Sequence, residues 1–197
     1  MDEKSIVIAT QNKARAQGVI SAVGKIDGVK ILTLDDVPLH DAPSEIGSNE
    51  MENALIKAHF YFEHLQIPVI SVDDGLHLGN PELDPAEKIK RHDDGEWDNQ
   101  RVFDYWKGAL KEHGEQKGYI EKACAIVNAQ REIVWMNRIY VSLIPADRTY
   151  TDGNPLNHFI IPECYTICIQ DFVGEQKKQF TLECYSPIID LIKIYAE

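Results

Sequence analysis

The sequence predicts an α/β fold: an elongated, two-lobed mixed sheet with flanking helices and a central cleft. Three observations carry that expectation. β-branched apolar runs alternate with amphipathic helical runs in the first half, the pattern of strand–helix–strand units. Two long alternating runs then follow one another, as in an antiparallel hairpin. Finally, 197 residues, 44% apolar and 26% charged, suffice for one domain with a real core, so residues 1–197 are taken as a single two-lobed domain.

Ser5 to Ala9 (SIVIA) is apolar and β-branched, a natural first strand. It enters Thr10-Gln11-Asn12-Lys13-Ala14-Arg15, and a helix of about Ala14 to Val23 follows, closed by Gly24. Such a turn points backbone amides and the positive end of the helix dipole at one spot, where Lys13 and Arg15 add charge, so an anion is the expected guest. A solvated helix start has the same composition. Val29 to Leu34 is a second strand, and Asp35 to Ser44, with Pro38 and Pro43, a loop.

The stretch Glu45 to Leu76 organises the rest. Asn49 can cap a helix, with Glu52 three residues on reaching back to it. Met51, Leu55, Ala58, Phe62 and Leu65 then fall near one stripe, leaving Glu52, Asn53 and Lys57 near or beyond its edge. Pro68 stops the helix. Val69 to Val72 is a buried strand whose carboxyl end delivers Asp73-Asp74-Gly75, and ligands of open α/β sheets gather at such strand ends.

Gly79 to Asp94 is a polar segment containing Arg91. Trp97 to Leu110 is an amphipathic helix, capped by Asp98 or Asn99 and ended by Gly114 and Gly118. Tyr119 to Val127 and Glu132 to Ile144 alternate as two strands around a turn near Asn128 to Arg131. Pattern is lost from Pro145 to Asn157. Phe159 to Ile161 and Tyr165 to Gln170 are short strand candidates, and Ser186-Pro187 opens a closing helix, Ile188 to Tyr195.

Net charge is −12, 32 acidic against 20 basic residues, which argues against a nonspecific grip on nucleic acid. No apolar run approaches the roughly 20 residues that cross a bilayer, and MDEKSIVIATQ lacks a signal-peptide core, so a cytoplasmic protein is expected. The four cysteines show no CxxC pair, and reduced, mostly buried thiols are the expectation. The seven histidines show no metal-binding spacing.

Glu45, Glu52 and Asp73 with Lys13, Arg15 and Lys57 suit hydrolysis of a phosphoanhydride. Carboxylates hold Mg²⁺ through oxygen, cations steady a leaving pyrophosphate, and a carboxylate orients or deprotonates water. The same charges also suit a solvated surface around an amphipathic helix.

Thr10-Gln11-Asn12 with Arg15, Glu45-x-Gly47, Glu52-Asn53-Ala54-x-x-Lys57-Ala58, Pro68 and Asp73-Asp74-Gly75-Leu76, in this order, resemble the inosine triphosphate pyrophosphatase family, also called the Ham1 or non-canonical purine NTP pyrophosphatase family. Its pattern runs T-G-N-x-x-K, then E-x-G-x-T-F-x-E-N-A-x-x-K-A, then D-D-S-G-L. The match is gapless from Glu45 to about Leu110, and Arg91 falls on the arginine of the family's S-A-R segment. The resemblance implies a homodimer that cleaves nucleoside triphosphates to monophosphate and pyrophosphate with Mg²⁺. On it, Thr10 to Arg15 bind phosphate, Glu45 helps bind the metal, Lys57 contacts the triphosphate, Glu52 lies in the same acidic cluster, and Asp73 is metal ligand and general base.

The sequence also departs from the pattern. The first family aspartate is Val72, and Asp74 replaces the serine; sliding the match by one residue makes Asp73-Asp74 the acidic pair, and the sequence leaves both registers open. Gln11 replaces glycine, Arg15 replaces lysine, and Asn49-Glu50 replaces T-F. The base-recognition motif F-G-Y/W-D-P has only an echo in Gly153-Asn154-Pro155, and S-H-R is absent, so purine specificity does not carry over. Tyr150, Phe159 and Tyr165 suit either base stacking or core packing. A catalytically silent nucleotide-binding module and a different phosphohydrolase stand as alternatives.

Overall fold

In the computed structural model, which describes residues 4–39, 41–83 and 98–196, Ile6, Val7, Ile8 and Ala9 have no exposed surface and form the inner part of β1 (Lys4–Ala9). β1 pairs in parallel with β2 (Val29–Thr33) on one side and with β3 (Val69–Leu78) on the other. Parallel neighbours need crossovers, supplied by helices α1 (Lys13–Val23) and α2 (Glu50–Leu65). β4 (Gln116–Val127) and β5 (Glu132–Leu143) follow, joined by a turn in which Asn128 N–H donates to the Arg131 carbonyl at 3.1 Å. β6 (Ile160–Pro162) pairs antiparallel with β5, and the sheet order is β2-β1-β3-β4-β5-β6. Two further helices are α3 (Asn99–His113) and α4 (Gly174–Ala196). The expected mixed α/β sheet with flanking helices is present.

The chain divides into two compact units. The first comprises Met1–Asp74, Lys122–Asn137 and Lys178–Glu197. Side chains alternate across a strand, so its sheet carries two cores. Ile6, Ile8, Ile70, Val72, Cys124 and Ile126 pack with Val19 and Val23 of α1 and Ile188, Leu191 and Ile192 of α4. Val7, Ala9, Val69, Ala123, Ala125 and Val127 pack with Ala54, Ala58 and Tyr61 of α2. The second unit, Gly75–Glu121 and Arg138–Lys177, centres on Val102, Phe103, Trp106 and Leu110 of α3 against Val141, Leu143, Leu156, Phe159 and Ile160. Each such fully buried aliphatic side chain contributes about 1.5–3 kcal/mol.

Several sequence expectations change here. β3 continues to Leu78, so Asp73-Asp74-Gly75 lies inside a strand rather than in the turn after one. Gly118 does not end a helix; Gly114, at φ 74°, caps α3, and Gly118 sits in β4 where a Cβ would lie 2.0 Å from the His77 carbonyl oxygen. Residues 165–168 are irregular with a bend and lead into a 3-10 segment at Ile169–Asp171, so no strand forms there. Pro187 lies within α4, not at its start: Cys184, Ile188, Leu191 and Ile192 keep one buried stripe across it, and that packing outweighs the lost backbone hydrogen bond. The buried face of α2 is Ala54, Lys57, Ala58 and Tyr61, while Met51 is exposed.

A methyl group at Gly118 has no space, so Gly118→Ala is expected to destabilise the fold by about 3 kcal/mol. Gly108, exposed within α3 with nothing near its Cβ position, is expected to gain up to about 1 kcal/mol as alanine. Urea unfolding followed by circular dichroism reads both; equal midpoints for the two variants would contradict the β3–β4 packing described.

Candidate functional site

The site grows from α2 and β3. Ser71, fully buried, donates its hydroxyl to the Ala54 carbonyl and fixes the strand against the helix. One helical turn past Ala54 is Lys57, and one pleat past Ser71 is Asp73. Those steps rise by comparable amounts, about 4.5 Å and about 6.6 Å, so the two side chains meet. Lys57 Nζ donates to Asp73 Oδ1 at 2.7 Å, with 8% and 7% of the two residues exposed. Burying either charge alone costs several kcal/mol, so each requires the other.

Glu45 completes the group from the loop before α2, its Oε1 3.4 Å from Lys57 Nζ. What folds that loop back is Gly47. Its N–H donates to Asn53 Oδ1 at 2.8 Å, and a Cβ there would lie 2.7 Å from that oxygen and 2.8 Å from the Asn53 backbone nitrogen. Asn49 caps α2 as expected, accepting from Glu52 N–H at 2.9 Å. Glu52 does reach back, but to Ser48 rather than Asn49: its Oε2 accepts from the Ser48 N–H at 2.7 Å and the Ser48 hydroxyl at 2.8 Å. Those bonds hold the exposed Glu52 carboxyl below the usual range, the backbone bond contributing most.

The two adjacent aspartates part company. Asp73 shares the α2 face of the sheet, whereas Asp74 follows Val72 onto the α1 and α4 face. There Arg15 Nη2 lies 2.5 Å from Asp74 Oδ1, and Arg15 Nη1 donates to the Val72 carbonyl at 3.5 Å. Lys122 Nζ lies 3.9 Å from Asp74 Oδ2 and 5.3 Å from the centre of the Tyr185 ring. Burial pulls the Lys122 ammonium toward neutrality, but Asp74, then Tyr185 and Cys184, outweigh it and raise its pKa. Burial chiefly, opposed by Lys122 and aided by Asp74 and Glu183, pushes the Cys184 thiol up to about 11, and burial pushes Cys124 up to about 12, which suits inert packing groups.

The segment from Thr10 to Arg15 serves two directions. Asn12 caps α1, its Oδ1 accepting from Arg15 N–H at 3.0 Å, while Thr10 Oγ1 accepts from Asn12 N–H at 3.3 Å. Thr10, Gln11 and Lys13 line a recess of about 210 Å³ with Gln17, Thr33 and Asp35, where Lys13 makes an exposed 3.1 Å ion pair with Asp35. Arg15 turns away to Asp74. Arg91 lies outside the described residues.

In the second unit, Arg148 grips Asp171 through two bonds of 2.9 and 2.6 Å beside a polar recess of about 450 Å³ that also includes His158 and Gln170. Asn154 caps the short helical turn after Gly153, accepting from Leu156 N–H at 3.0 Å. Phe159 is fully buried against Phe103, and Tyr165 stacks on Phe172.

Sequence reasoning missed Lys122, Tyr185 and Ser48. A signal existed for the first, since Lys122 falls on the same strand face as Cys124 and Ile126 and interrupts an apolar stripe. Tyr185 lay in a stretch without recognised helical pattern, and nothing in the local sequence pointed to it.

The Ham1 family model matches residues 6–153. Among curated proteins, a dITP/XTP pyrophosphatase of Dictyoglomus thermophilum is 34% identical over 79 residues, 40% of this chain and 38% of that protein. A dITP/XTP pyrophosphatase of Mycolicibacterium paratuberculosis is 30% identical over 146 residues, 68% of this chain and 70% of its own length. The chain thus spans little more than a third of the first relative and about two thirds of the second. The solved Staphylococcus aureus Ham1 protein superposes with a TM-score of 0.71 at 17% identity, covering 96% of this chain and 98% of that one, which shows a shared fold.

The Ser48–Glu52 bonds favour the charged carboxylate, so their stabilisation is fully present above the usual glutamate range and is lost as pH falls below it through the carboxyl's lowered pKa. Glu52→Gln is expected to lower the urea midpoint at pH 7 and to differ little from the parent at pH 3. A deficit that stays constant between the two pH values would contradict this.

Proposed function

The chain belongs to the Ham1 family, and on that premise we propose that it is a Mg²⁺-dependent nucleoside triphosphate pyrophosphatase, converting an NTP and water to NMP and pyrophosphate. The observation that carries the reading is the convergence of Glu45 and Asp73 on a single cation position, held by the Lys57 ammonium. Relatives named dITP/XTP pyrophosphatase support the reaction class.

The donor set fits a hard divalent ion: two carboxylates, one from a loop and one from a strand, already arranged about positive charge. Glu45 and Asp73 would hold it, and Mg²⁺ would supply charge neutralisation to the phosphates. Lys57, on entry of the triphosphate, exchanges carboxylate partners for phosphate oxygens. Asp73 then has a free oxygen to orient water and accept its proton while the water oxygen bonds the α-phosphorus. The bond from the α-phosphorus to the bridging oxygen breaks, and pyrophosphate leaves with the electron pair. Thr10 to Lys13, at the amino end of α1, offer the phosphates amides and a mobile cation. Glu52 acts by holding Ser48 and the loop that carries Glu45.

Base preference is altered or unknown, because the F-G-Y/W-D-P motif has only an echo in Gly153-Asn154-Pro155 and S-H-R is absent. A homodimer follows from the resemblance, and the −12 net charge supports a small-molecule substrate over nucleic acid. Among the described residues no helix is long and apolar enough to cross a membrane. One observation favours a second reading, a silent nucleotide-binding module: Val72, 2% exposed in an apolar cluster, leaves one carboxylate fewer than the family pattern.

Pyrophosphate release from a panel of canonical and deaminated NTPs decides between them. Turnover is expected with Mg²⁺, abolished by EDTA and restored by added Mg²⁺. Asp73→Asn and Glu45→Gln are each expected to lower kcat by about 10²–10⁴-fold. Tight NTP binding without turnover would favour the silent module; release of orthophosphate alone would indicate another phosphohydrolase.

A further inference from the structure

The polar recess of about 450 Å³ in the second unit takes no part in the reaction above, yet the groups that line it have fixed directions. His158 is 3% exposed, its ring held edge-on by Phe103 at 5.2 Å and flanked by Tyr150 at 5.5 Å. His158 Nε2 lies 3.3 Å from the Asp152 carbonyl oxygen, which can only accept, so the ring proton sits on Nε2 and the neutral imidazole keeps a bare lone pair on Nδ1. Nδ1 takes no bond among the described residues and is not sealed from solvent, so it opens on the recess that His158 lines.

Gln170 is oriented by the same logic. Its Nε2 donates to Asp152 Oδ1 at 2.9 Å, and a carboxylate only accepts, so Oε1 is the end left over. That oxygen lies beside Gly153, where a Cβ would come within 3.5 Å of it. The third fixed group is planar. Arg148 bonds Asp171 through both terminal nitrogens, at 2.9 and 2.6 Å, which locks the guanidinium while 34% of the side chain stays exposed at the recess. A locked guanidinium is a stacking surface for a flat heterocycle. Two acceptors beside it call for a ligand that brings two N–H donors, as one amino group does; an oxo group there would set lone pair against lone pair.

We propose that this recess binds a nucleobase carrying an exocyclic amino group, with His158 Nδ1 and Gln170 Oε1 accepting its N–H donors and Arg148 stacking on the ring. That the flat ligand is a nucleobase rests on the pyrophosphatase reading; the demand for an amino group rests on the two acceptors. Arg148, His158 and Gln170 all lie outside the motifs that carry the family resemblance.

The test is calorimetric titration of nucleosides, which carry no phosphate, into the full-length protein in EDTA. Adenosine is expected to bind on the order of tenfold or more tightly than purine riboside, the same molecule without the amino group, and than inosine, which has oxygen in its place. Gln170→Leu and His158→Phe are each expected to remove most of that difference, and Lys111→Gln, an exposed charge on α3, to leave it unchanged. Equal affinity for adenosine and purine riboside, or binding of neither, overturns the proposal and leaves the enzyme reading to pyrophosphate release. Amino-selective binding with no turnover of any NTP does the reverse. If neither variant folds, nuclear Overhauser contacts from the ring protons of bound adenosine to the methyl groups of Thr149 and Thr151 in the unaltered protein place the ligand, and their absence overturns the proposal.

Discussion

A lysine ammonium on the buried side of α2 is the constraint from which the rest of the site follows. Lys57 occupies a core-facing position between Ala54 and Ala58, where an unpaired charge is not tolerated. Asp73 must therefore lie opposite it, and the strand must be pinned so that it does; the Ser71 hydroxyl on the Ala54 carbonyl does the pinning. Glu45 is drawn to the same ammonium by a loop that folds only because Gly47 lacks a side chain. A pair of carboxylates about one cation, partly open through Glu45, is at once a structural solution for Lys57 and a place where a metal and a phosphate chain can take over its charge.

Strand alternation divides the labour of the acidic pair. Asp73 and Asp74 are adjacent in sequence but belong to opposite faces, so they cannot act on one ion as a simple couple. Asp73 faces α2. Asp74 extends the face of Val72, where it gathers Arg15 and Lys122. Asp73 thus lies with Glu45 and Lys57, and Asp74 with Arg15 and Lys122. The acid missing at Val72 is not returned to the Asp73 face.

Some of this was legible in the residues themselves. The caps at Asn49 and Asp98, and the helix closures at Gly24 and Gly114, are local bonds whose donors and acceptors lie within four residues, so sequence alone reveals them. Other features depended on distant partners. β3 outran its apolar run because β4 lies beside it past Asp73, with Gly79 N–H donating to the Lys117 carbonyl, whereas β1 pairs only as far as Ser71; α4 ran through Pro187 because its buried stripe packs on the first unit's core. Glu52 chose Ser48 over Asn49 because the loop, bent at Gly47, presents both the amide and the hydroxyl of Ser48.

The sequence by itself determined the order of elements from β1 to β5, the caps of α2 and α3 at Asn49 and Asp98, the closures at Gly24 and Gly114, and the grouping of Glu45, Lys57 and Asp73, because period, capping and motif spacing are short-range properties. Tertiary structure alone decided that Lys57 is buried between those acids, that Asp74 turns to the other face, and that Lys122 and Tyr185 join Arg15 there. The physical reason is that charge burial and strand facing are settled by which residues pack together across 12 to 63 positions of chain, and no local pattern encodes that.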